Sequence, residues 1–141
     1  MRPTRTPLGL KLSTTARYVS RAFDDALTEA GGSLPIWLVL LNLKIRAVAN
    51  QRELAEAVGI SEATLTTQLH SMEEKGLVTR RRDQDNRRIQ VVELTDAGDA
   101  LFLRLRSAAG RFDARLREGL TEDEAAALAS LLDRLAENVA R

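Results

Sequence analysis

The chain places small polar side chains next to a cluster of arginines between residues 60 and 90. The stretch ISEATLTTQLHSM, residues 60–72, is rich in hydroxyl and amide groups. The stretch LVTRRRDQDNRRIQ, residues 77–90, follows it and carries five arginines and two aspartates, a local charge of +3. Short donors and acceptors suit base edges, and guanidinium groups suit phosphates and narrow grooves. The pattern indicates recognition of a polyanion, although a solvated charged loop has the same composition.

The composition argues against several other kinds of chemistry. The 141 residues include no cysteine and one histidine, which excludes disulfides, thiolate metal sites and histidine metal clusters. No nucleophile–base pair or phosphate-cradling glycine loop is present, so we expect no enzyme, metal site or cofactor. No apolar run approaches the roughly 18 residues of a membrane span, and residues 1–11 lack the features of a signal peptide. We therefore expect a soluble cytoplasmic protein without membrane contact.

Apolar periodicity predicts a mainly α-helical fold with a small β-hairpin, an α+β arrangement. A stripe over residues 8–30 predicts a first helix that ends at Gly31 and Gly32. Ser33 can cap a second, apolar helix with Pro35 in its first turn. Residues that can cap the four remaining helices are Asn50, Ser61, Thr95 and Thr121. Between the fourth and fifth helices, residues 77–80 and 89–94 read as two strands joined by a polar turn at residues 83–86.

The two helices before the hairpin have the spacing of a helix-turn-helix. Ala55 stands four residues before Gly59, and a small residue and a glycine let two helices cross closely. If Leu65, Leu69 and Met72 turn inward, the opposite face of the second helix is polar. The arginine hairpin would then be a wing that grips the groove next to this helix. The DNA-binding residues that this pattern predicts are Ser61, Thr64, Thr67, Gln68, Ser71, Arg80, Arg81, Arg87 and Arg88.

The segment ELAEAVGISEATLTTQLHSMEEKGLVTRRRDQDNRRIQVVELTDAG resembles the winged helix-turn-helix core of the MarR (multiple antibiotic resistance regulator) transcription factors. With the flanking helices, the resemblance covers residues 8–140. It implies base contacts from Ala63, Thr64, Thr67 and Gln68. The Asp-x-Arg wing motif of the family falls on residues 86–88, so Arg88 matches its minor-groove arginine. Asn86 departs from the family's carboxylate, which Asp85 could replace.

The resemblance also implies a symmetric homodimer, a palindromic operator on double-stranded DNA, usually repression, and often release by a small aromatic ligand. Residues 33–95 would form the DNA-binding lobe, and residues 1–32 and 96–141 a helical dimerisation region. The helix predicted to begin at Asp96 would span about 34 Å, which is too long for the core alone and favours a dimer without the resemblance. The family's ligand pocket lies between these regions, where the aromatic candidates are Tyr18, Phe23 and Trp37.

Each of these interpretations has a simpler alternative. The winged helix could be a protein-interaction module without specific DNA binding. The terminal helices could pack onto one core in a monomer, and the three aromatic residues could serve core packing alone. Glu73 and Glu74 read as a solvated face. His70 reads as a side chain that faces solvent or a phosphate, in preference to a functional switch. Three acids at residues 122–124 are typical of a helix's first turn and need no metal.

Overall fold

A computed structural model of the chain describes residues 5–46 and 48–140. The described residues form six helices and three short strands. In chain order they are α1 (Leu8–Glu29), α2 (Leu34–Arg46), β1 (Val48–Asn50), α3 (Gln51–Val58), α4 (Glu62–Glu74), β2 (Val78–Arg82), β3 (Gln90–Leu94), α5 (Asp96–Leu116) and α6 (Glu122–Val139). The predicted mainly helical fold with a β-hairpin is confirmed.

The helices begin where the capping residues predicted. At α2 to α6 a side-chain oxygen accepts a backbone N–H of the first turn, which would otherwise lack a partner, whereas α1 begins after Pro7 without a side-chain cap. At α6, Glu124 also accepts the backbone N–H of Thr121, so this capping box is complete. The other caps are Ser33 to Ile36 at 3.2 Å, Asn50 to Glu53 at 2.8 Å, Ser61 to Thr64 at 3.1 Å and Thr95 to Gly98 at 3.0 Å.

The sheet has one strand more than the sequence predicted. Its order is β1, β3, β2, and both pairings are antiparallel. Three residues are too few to show the period-two alternation that identifies a strand, so β1 was not foreseen. The hairpin also differs in length, because β2 continues through Arg82 instead of ending at Arg80. The connecting loop therefore runs over residues 83–89 instead of 83–86.

α2 lies at the centre of the core, as its apolar sequence predicted. Val39, Leu40 and Leu43 are fully buried, and the core around them includes buried residues of α1, α3, α4, α5 and the hairpin. Leu27 is the buried residue of α1. None of the described helices is by itself long and apolar enough to cross a membrane. α1 and α2 meet that test only as a pair, which is bent by 75°.

The chain divides into two compact units, residues 1–109 and 110–141, and the boundary falls within α5. The first unit contains the sheet and the core around α2. The second unit contains α6, in which no described residue is buried. Apolar side chains lie exposed along this helix: Leu128, Leu131, Leu132 and Val139. A stripe of this kind is unfavourable in water unless another surface covers it.

The start of α5 is joined tightly to the start of the hairpin. The hydroxyl of Thr95 donates to the carbonyl of Gly76 at 2.5 Å, and the N–H of Thr95 donates to the carbonyl of Leu77 at 3.2 Å. Gly98 packs directly against Leu77, just before β2, and Leu94, the last residue of β3. A Cβ there would overlap the carbonyl oxygen of Leu77 and lie 3.1 Å from a methyl carbon of Leu94. The backbone leaves no room for a side chain at this position.

We expect Gly98→Ala to lower the free energy of unfolding by about 2–3 kcal/mol, because the added methyl group must displace backbone, which costs more than moving a side chain. Gly110→Ala is the matched control in the same helix, since its Cβ would have no atom within 4 Å. It should raise stability by about 0.5–1 kcal/mol. Urea unfolding of both variants measures the difference, and equal effects would contradict the close packing.

Candidate nucleic-acid interface

The turn between α3 and α4 has the geometry that the helix-turn-helix spacing predicted. Gly59 ends α3 with a φ of 82°, a left-handed conformation that favours glycine. The N–H groups of Gly59 and Ile60 both donate to the carbonyl of Ala55, at 2.9 and 3.1 Å. Ala55 itself is buried. The turn and this small residue together set the crossing of α3 and α4.

α4 has one buried face and one polar, exposed face. Leu65, Leu69 and Met72 are fully buried, so the rotation of the helix about its axis is fixed. Among the predicted contact residues, Gln68 and Ser71 are half-buried. The exposed ones are Ser61, Ala63, Thr64 and Thr67. These short side chains leave space for another surface to approach the helix closely, and their contacts with DNA stay a prediction.

The hydroxyl groups of this region do not all remain available. Ser61 accepts the N–H of Thr64 and donates to its hydroxyl at 2.9 Å, so Ser61 acts mainly as a cap. Thr66 accepts from the amide of Gln51 at 2.5 Å, which ties α4 to the start of α3. Thr67 donates to the carbonyl of Ala63 at 3.4 Å, a long bond. Thr67 is therefore the threonine of α4 best able to exchange its partner for a base.

His70 lies on the exposed side of α4, one turn after Thr67. Its Nε2 is 3.2 Å from a carboxylate oxygen of Glu74, an i, i+4 pair in which both side chains are mostly exposed. The expectation of a solvent-facing or phosphate-facing histidine agrees with this position. Sequence periodicity alone could have placed His70 beside Thr67, because residues three apart share a helix face.

The hairpin arginines divide into two groups, which their sequence did not reveal. Arg80 binds Glu73 of α4 at 3.2 Å, and its side chain is 16% exposed. Arg81 binds Glu93 of β3 through Nε at 3.0 Å and Nη2 at 2.8 Å. Glu73, which the sequence placed on a solvated face, keeps a side chain that is 39% exposed, and its carboxylate also pairs with the Arg80 guanidinium. The Arg80 guanidinium holds the pKa of Glu73 below its ordinary value.

The remaining arginines lie at the end of the hairpin. Arg82 donates to the carbonyl of Arg87 at 3.0 Å, and no ion pair within 4 Å involves Arg82, Arg87 or Arg88 in the described part of the chain. Asn86 accepts the backbone N–H of Arg88 at 3.1 Å, so it shapes the turn without a charge. Asp85 forms no ion pair with an arginine among the described residues. The expectation that Asp85 takes the place of the family's wing carboxylate is therefore not matched by a direct contact between Asp85 and an arginine.

An open cleft of about 560 Å³ lies between α4, the start of α3 and the hairpin. Arg80 and Arg88 both line it, together with Thr66 of α4. The side-chain oxygen of Gln90 also faces this region, is buried and has no hydrogen-bond partner among the described residues. Arg88 therefore lies on the side of the hairpin that faces α4, within reach of a DNA groove next to the one that α4 would enter.

The three aromatic candidates for a ligand pocket lie in different environments. Tyr18 is largely exposed, Phe23 is half-buried and Trp37 is buried. Trp37 stacks on Phe102 of α5 with ring centroids 5.5 Å apart, and the ammonium of Lys44 lies 5.8 Å from the Phe102 ring. Phe102 was missed in the sequence, because it lies beside the apolar stripe that begins at Leu101 in the fifth helix, and not on it. The role of these rings in ligand binding stays a prediction.

Comparison with protein families and solved structures gives consistent matches. Residues 33–90 match the MarR family, and this span includes α3, α4 and the hairpin up to its second strand. The transcriptional repressor CouR, solved with a 23-mer DNA duplex, is 30% identical and superposes with a TM-score of 0.86. The match covers 92% of this chain and 92% of CouR. The aligned region thus extends over nearly the whole of both proteins.

Two further structures agree with this result. A mutant of MarR from E. coli, in complex with operator DNA, is 25% identical with a TM-score of 0.84, and the match covers 92% of this chain and 94% of that one. The PcaV transcriptional regulator from Streptomyces coelicolor, with its natural ligand, is 24% identical with a TM-score of 0.81. That match covers 99% of this chain and 100% of PcaV, and at this identity it shows the fold.

The pair between Glu73 and Arg80 predicts a pH dependence of stability. A carboxylate whose pKa falls on folding stabilises the protein above its unfolded pKa, and the effect is lost as the pH falls through the folded pKa. We expect Glu73→Gln to lower the unfolding midpoint near neutral pH. The difference from wild type should vanish as the pH drops below 4.5, the ordinary value for glutamate.

Urea unfolding between pH 7 and pH 3 measures this dependence. Glu56→Gln is a matched control, because Glu56 forms an exposed i, i+4 pair with Arg52 at 3.7 Å. Exposed pairs of this kind contribute little to stability, so the control should follow wild type at every pH. A Glu73→Gln deficit that persists unchanged at pH 3 would contradict a stabilising carboxylate.

Proposed function

The chain belongs to the MarR family of DNA-binding transcriptional regulators, and we propose that it acts as a dimeric repressor of a palindromic operator. A small, aromatic ligand would release it from the DNA. Bound to its operator, the dimer would block polymerase or another factor from the same site. The proposal requires no chemistry on a substrate, and it places the protein in the cytoplasm with the DNA.

The polar face of α4 carries this proposal. Burial of its three apolar residues directs Ala63, Thr64 and Thr67 outwards. A helix of this kind fits the major groove of B-DNA, which presents a distinct pattern of donors and acceptors for each base pair. The repressor CouR and the E. coli MarR mutant were both solved with DNA, which supports the same use of α4 in this chain.

The hairpin supplies the second DNA contact in the proposal. Arg82, Arg87 and Arg88 are the arginines of the hairpin without a carboxylate partner among the described residues. Phosphate oxygens or a narrow minor groove can provide that missing partner. Three such residues in each of two protomers correspond to a slope of log K against log salt of roughly −5, if each releases one counterion.

The helical regions support the dimer. We propose that residues 1–32 and 96–141 form the dimerisation region and that residues 33–95 form the DNA-binding lobe. The exposed leucines of α6 and the exposed Leu8, Leu10 and Leu12 of α1 would be covered by a second copy. A two-fold axis then presents two copies of α4 to successive major grooves, with half-sites about 10 to 10.5 base pairs apart, roughly 34 Å.

Release by a ligand would act through the aromatic residues of the first two helices. Its support is the family membership together with the aromatic residues Tyr18, Phe23 and Trp37. Tyr18 is largely exposed and Phe23 is half-buried, so a flat aromatic molecule would stack on these rings. Binding there would favour one separation of the two α4 helices over another, and release follows if that separation no longer matches the half-site spacing.

The DNA-binding proposal predicts different effects for α4 and the hairpin. The operator is first obtained by selection from a random duplex library, and affinity is then measured on that duplex and on random DNA. Thr67→Ala should relax preference at particular base pairs and leave affinity for random DNA nearly unchanged. Arg88→Ala should weaken operator binding by about 1–3 kcal/mol and make the salt dependence less steep.

Arg17→Ala is the control, because Arg17 is an exposed arginine of α1 outside the proposed DNA interface, and sedimentation velocity checks that this variant remains dimeric. It should leave both affinities unchanged. Weak, salt-insensitive binding by the wild type would favour the alternative, a winged-helix module for protein contacts. Equal losses on operator and random DNA for Thr67→Ala and Arg88→Ala would show that α4 does not read the sequence.

The dimer proposal predicts that the apolar stripe of α6 is required for operator binding. Replacing Leu131 and Leu135 with glutamate should bury unpaired charge between protomers and shift the protein towards monomers. Operator binding should be lost, although no DNA-facing residue has changed. Sedimentation velocity and gel-shift assays measure both effects.

Ala126→Glu with Ser130→Glu is the matched control, because helix geometry puts these residues on the opposite side of α6. This pair adds the same charge and should leave the dimer intact. A Leu131 and Leu135 variant that stays dimeric and still binds its operator would place the interface elsewhere.

A further inference from the structure

The ion pair between Glu73 and Arg80 joins the two elements of the proposed DNA interface. Glu73 lies in the last turn of α4, and Arg80 is the central residue of β2. Their side chains meet at 3.2 Å, and that of Arg80 is less exposed than any other charged side chain in an ion pair of the described residues. A long, flexible arginine is thereby held in one conformation against the helix.

The hairpin is held to the core by the pairing of β3 with β1 and by the buried Val91 and Val92, and the pair of Glu73 and Arg80 adds a direct link between β2 and α4. Apart from it, the N–H of Leu77 donates to the carbonyl of Met72 at 2.9 Å and the buried Val78 anchors the base of the strand. Both contacts lie at the beginning of β2. Arg80 is two residues farther along, so its pair with Glu73 holds the middle of β2 against the end of α4.

The second arginine pair of the hairpin provides an internal comparison. Arg81 and Glu93 both belong to the hairpin, on its other face, because side chains alternate along a strand. This pair has the same chemistry and a similar separation, 2.8 Å. It joins β2 to β3 and not to α4. Breaking it changes the charge of the hairpin without loosening the link to α4.

We propose that Glu73 is a positioning residue for DNA recognition, which through Arg80 fixes the hairpin relative to α4 and withholds Arg80 from DNA phosphates. The inference rests on the proposed DNA-binding function. It differs from the sequence-based prediction that Arg80 is a DNA contact, because in this proposal Arg80 acts on the DNA only through the placement of the hairpin. The consequence is selectivity, since α4 and Arg88 must reach adjacent grooves in one register.

A loose hairpin would lower selectivity in two ways. Its arginines could still reach phosphates in many positions, so sequence-independent affinity would persist. The free Arg80 would add a phosphate contact of its own, which strengthens binding to every duplex. Contact with the operator groove, in contrast, depends on a single geometry and would weaken as the hairpin samples others.

Glu73→Gln and Glu93→Gln form a matched pair of variants. Each removes one negative charge and releases one hairpin arginine, and each changes a carboxylate to an amide of the same size. Binding is measured on the duplex selected by the wild type and on random DNA, at a temperature where thermal melts show every variant to be fully folded. The quantity compared is the selectivity ratio, which is the dissociation constant on random DNA divided by that on the selected duplex.

Both variants should bind random DNA more tightly and with a steeper salt dependence. Only Glu73→Gln should reduce the ratio, by roughly fivefold to tenfold. Arg80→Gln breaks the same pair without freeing an arginine, so it should reduce the ratio with no gain on random DNA. Exchanging the two charges, with Glu73→Arg and Arg80→Glu in one protein, should restore part of the ratio.

Three results would overturn the proposal. Equal ratios for Glu73→Gln and Glu93→Gln would show that only charge matters. A less steep salt dependence of Arg80→Gln on random DNA, by about one released counterion, would show that Arg80 contacts phosphate directly. A wild-type ratio of one would contradict the proposed function and this inference with it, whereas a large wild-type ratio that Glu73→Gln leaves intact contradicts this inference alone.

Discussion

The burial of one face of α4 is the constraint on which the rest of the interface depends. Three side chains of this helix have no exposed surface, and removing a buried leucine from such a core costs about 2–5 kcal/mol. The helix therefore cannot rotate without losing more energy than most surface contacts supply. Since the buried face is fixed, the opposite face is fixed as well, and so is the direction in which Thr67 points. The left-handed turn at Gly59 then sets where this helix crosses α3.

The hairpin obeys a different periodicity, and this explains why five similar arginines have different roles. Along β2, Val78 and Arg80 face α4 and the core, while Arg81 faces the other side. Strand alternation thus places neighbouring arginines of one continuous run on opposite faces of the hairpin. One is held by the helix, one is held within the hairpin, and the unpaired ones follow at the loop. Charge composition sets how many cations the segment carries, and backbone geometry sets which of them remain available.

Helix positions, caps and the helix-turn-helix could be predicted from the sequence, because each depends on residues within one or two turns of each other. Asn50, Ser61 and Thr95 cap their helices as local capping rules require. The features that were missed either join residues that are distant in the chain or belong to an element with too few residues to show a pattern. β1 is three residues long, and the partners of Arg80 and Arg81 lie 7 and 12 positions away. Such pairings depend on strand register and tertiary packing, for which a single sequence contains no direct signal.

The order of the sheet gives the arginines of β2 another consequence. With β3 in the middle, β2 is an edge strand, so one side of its backbone has no partner strand. Such edges can pair with strands of other molecules and begin aggregation. Three consecutive arginines make that pairing unfavourable, because a second copy would bring like charges together. The same residues that give the hairpin its charge therefore oppose self-association through this edge of the sheet.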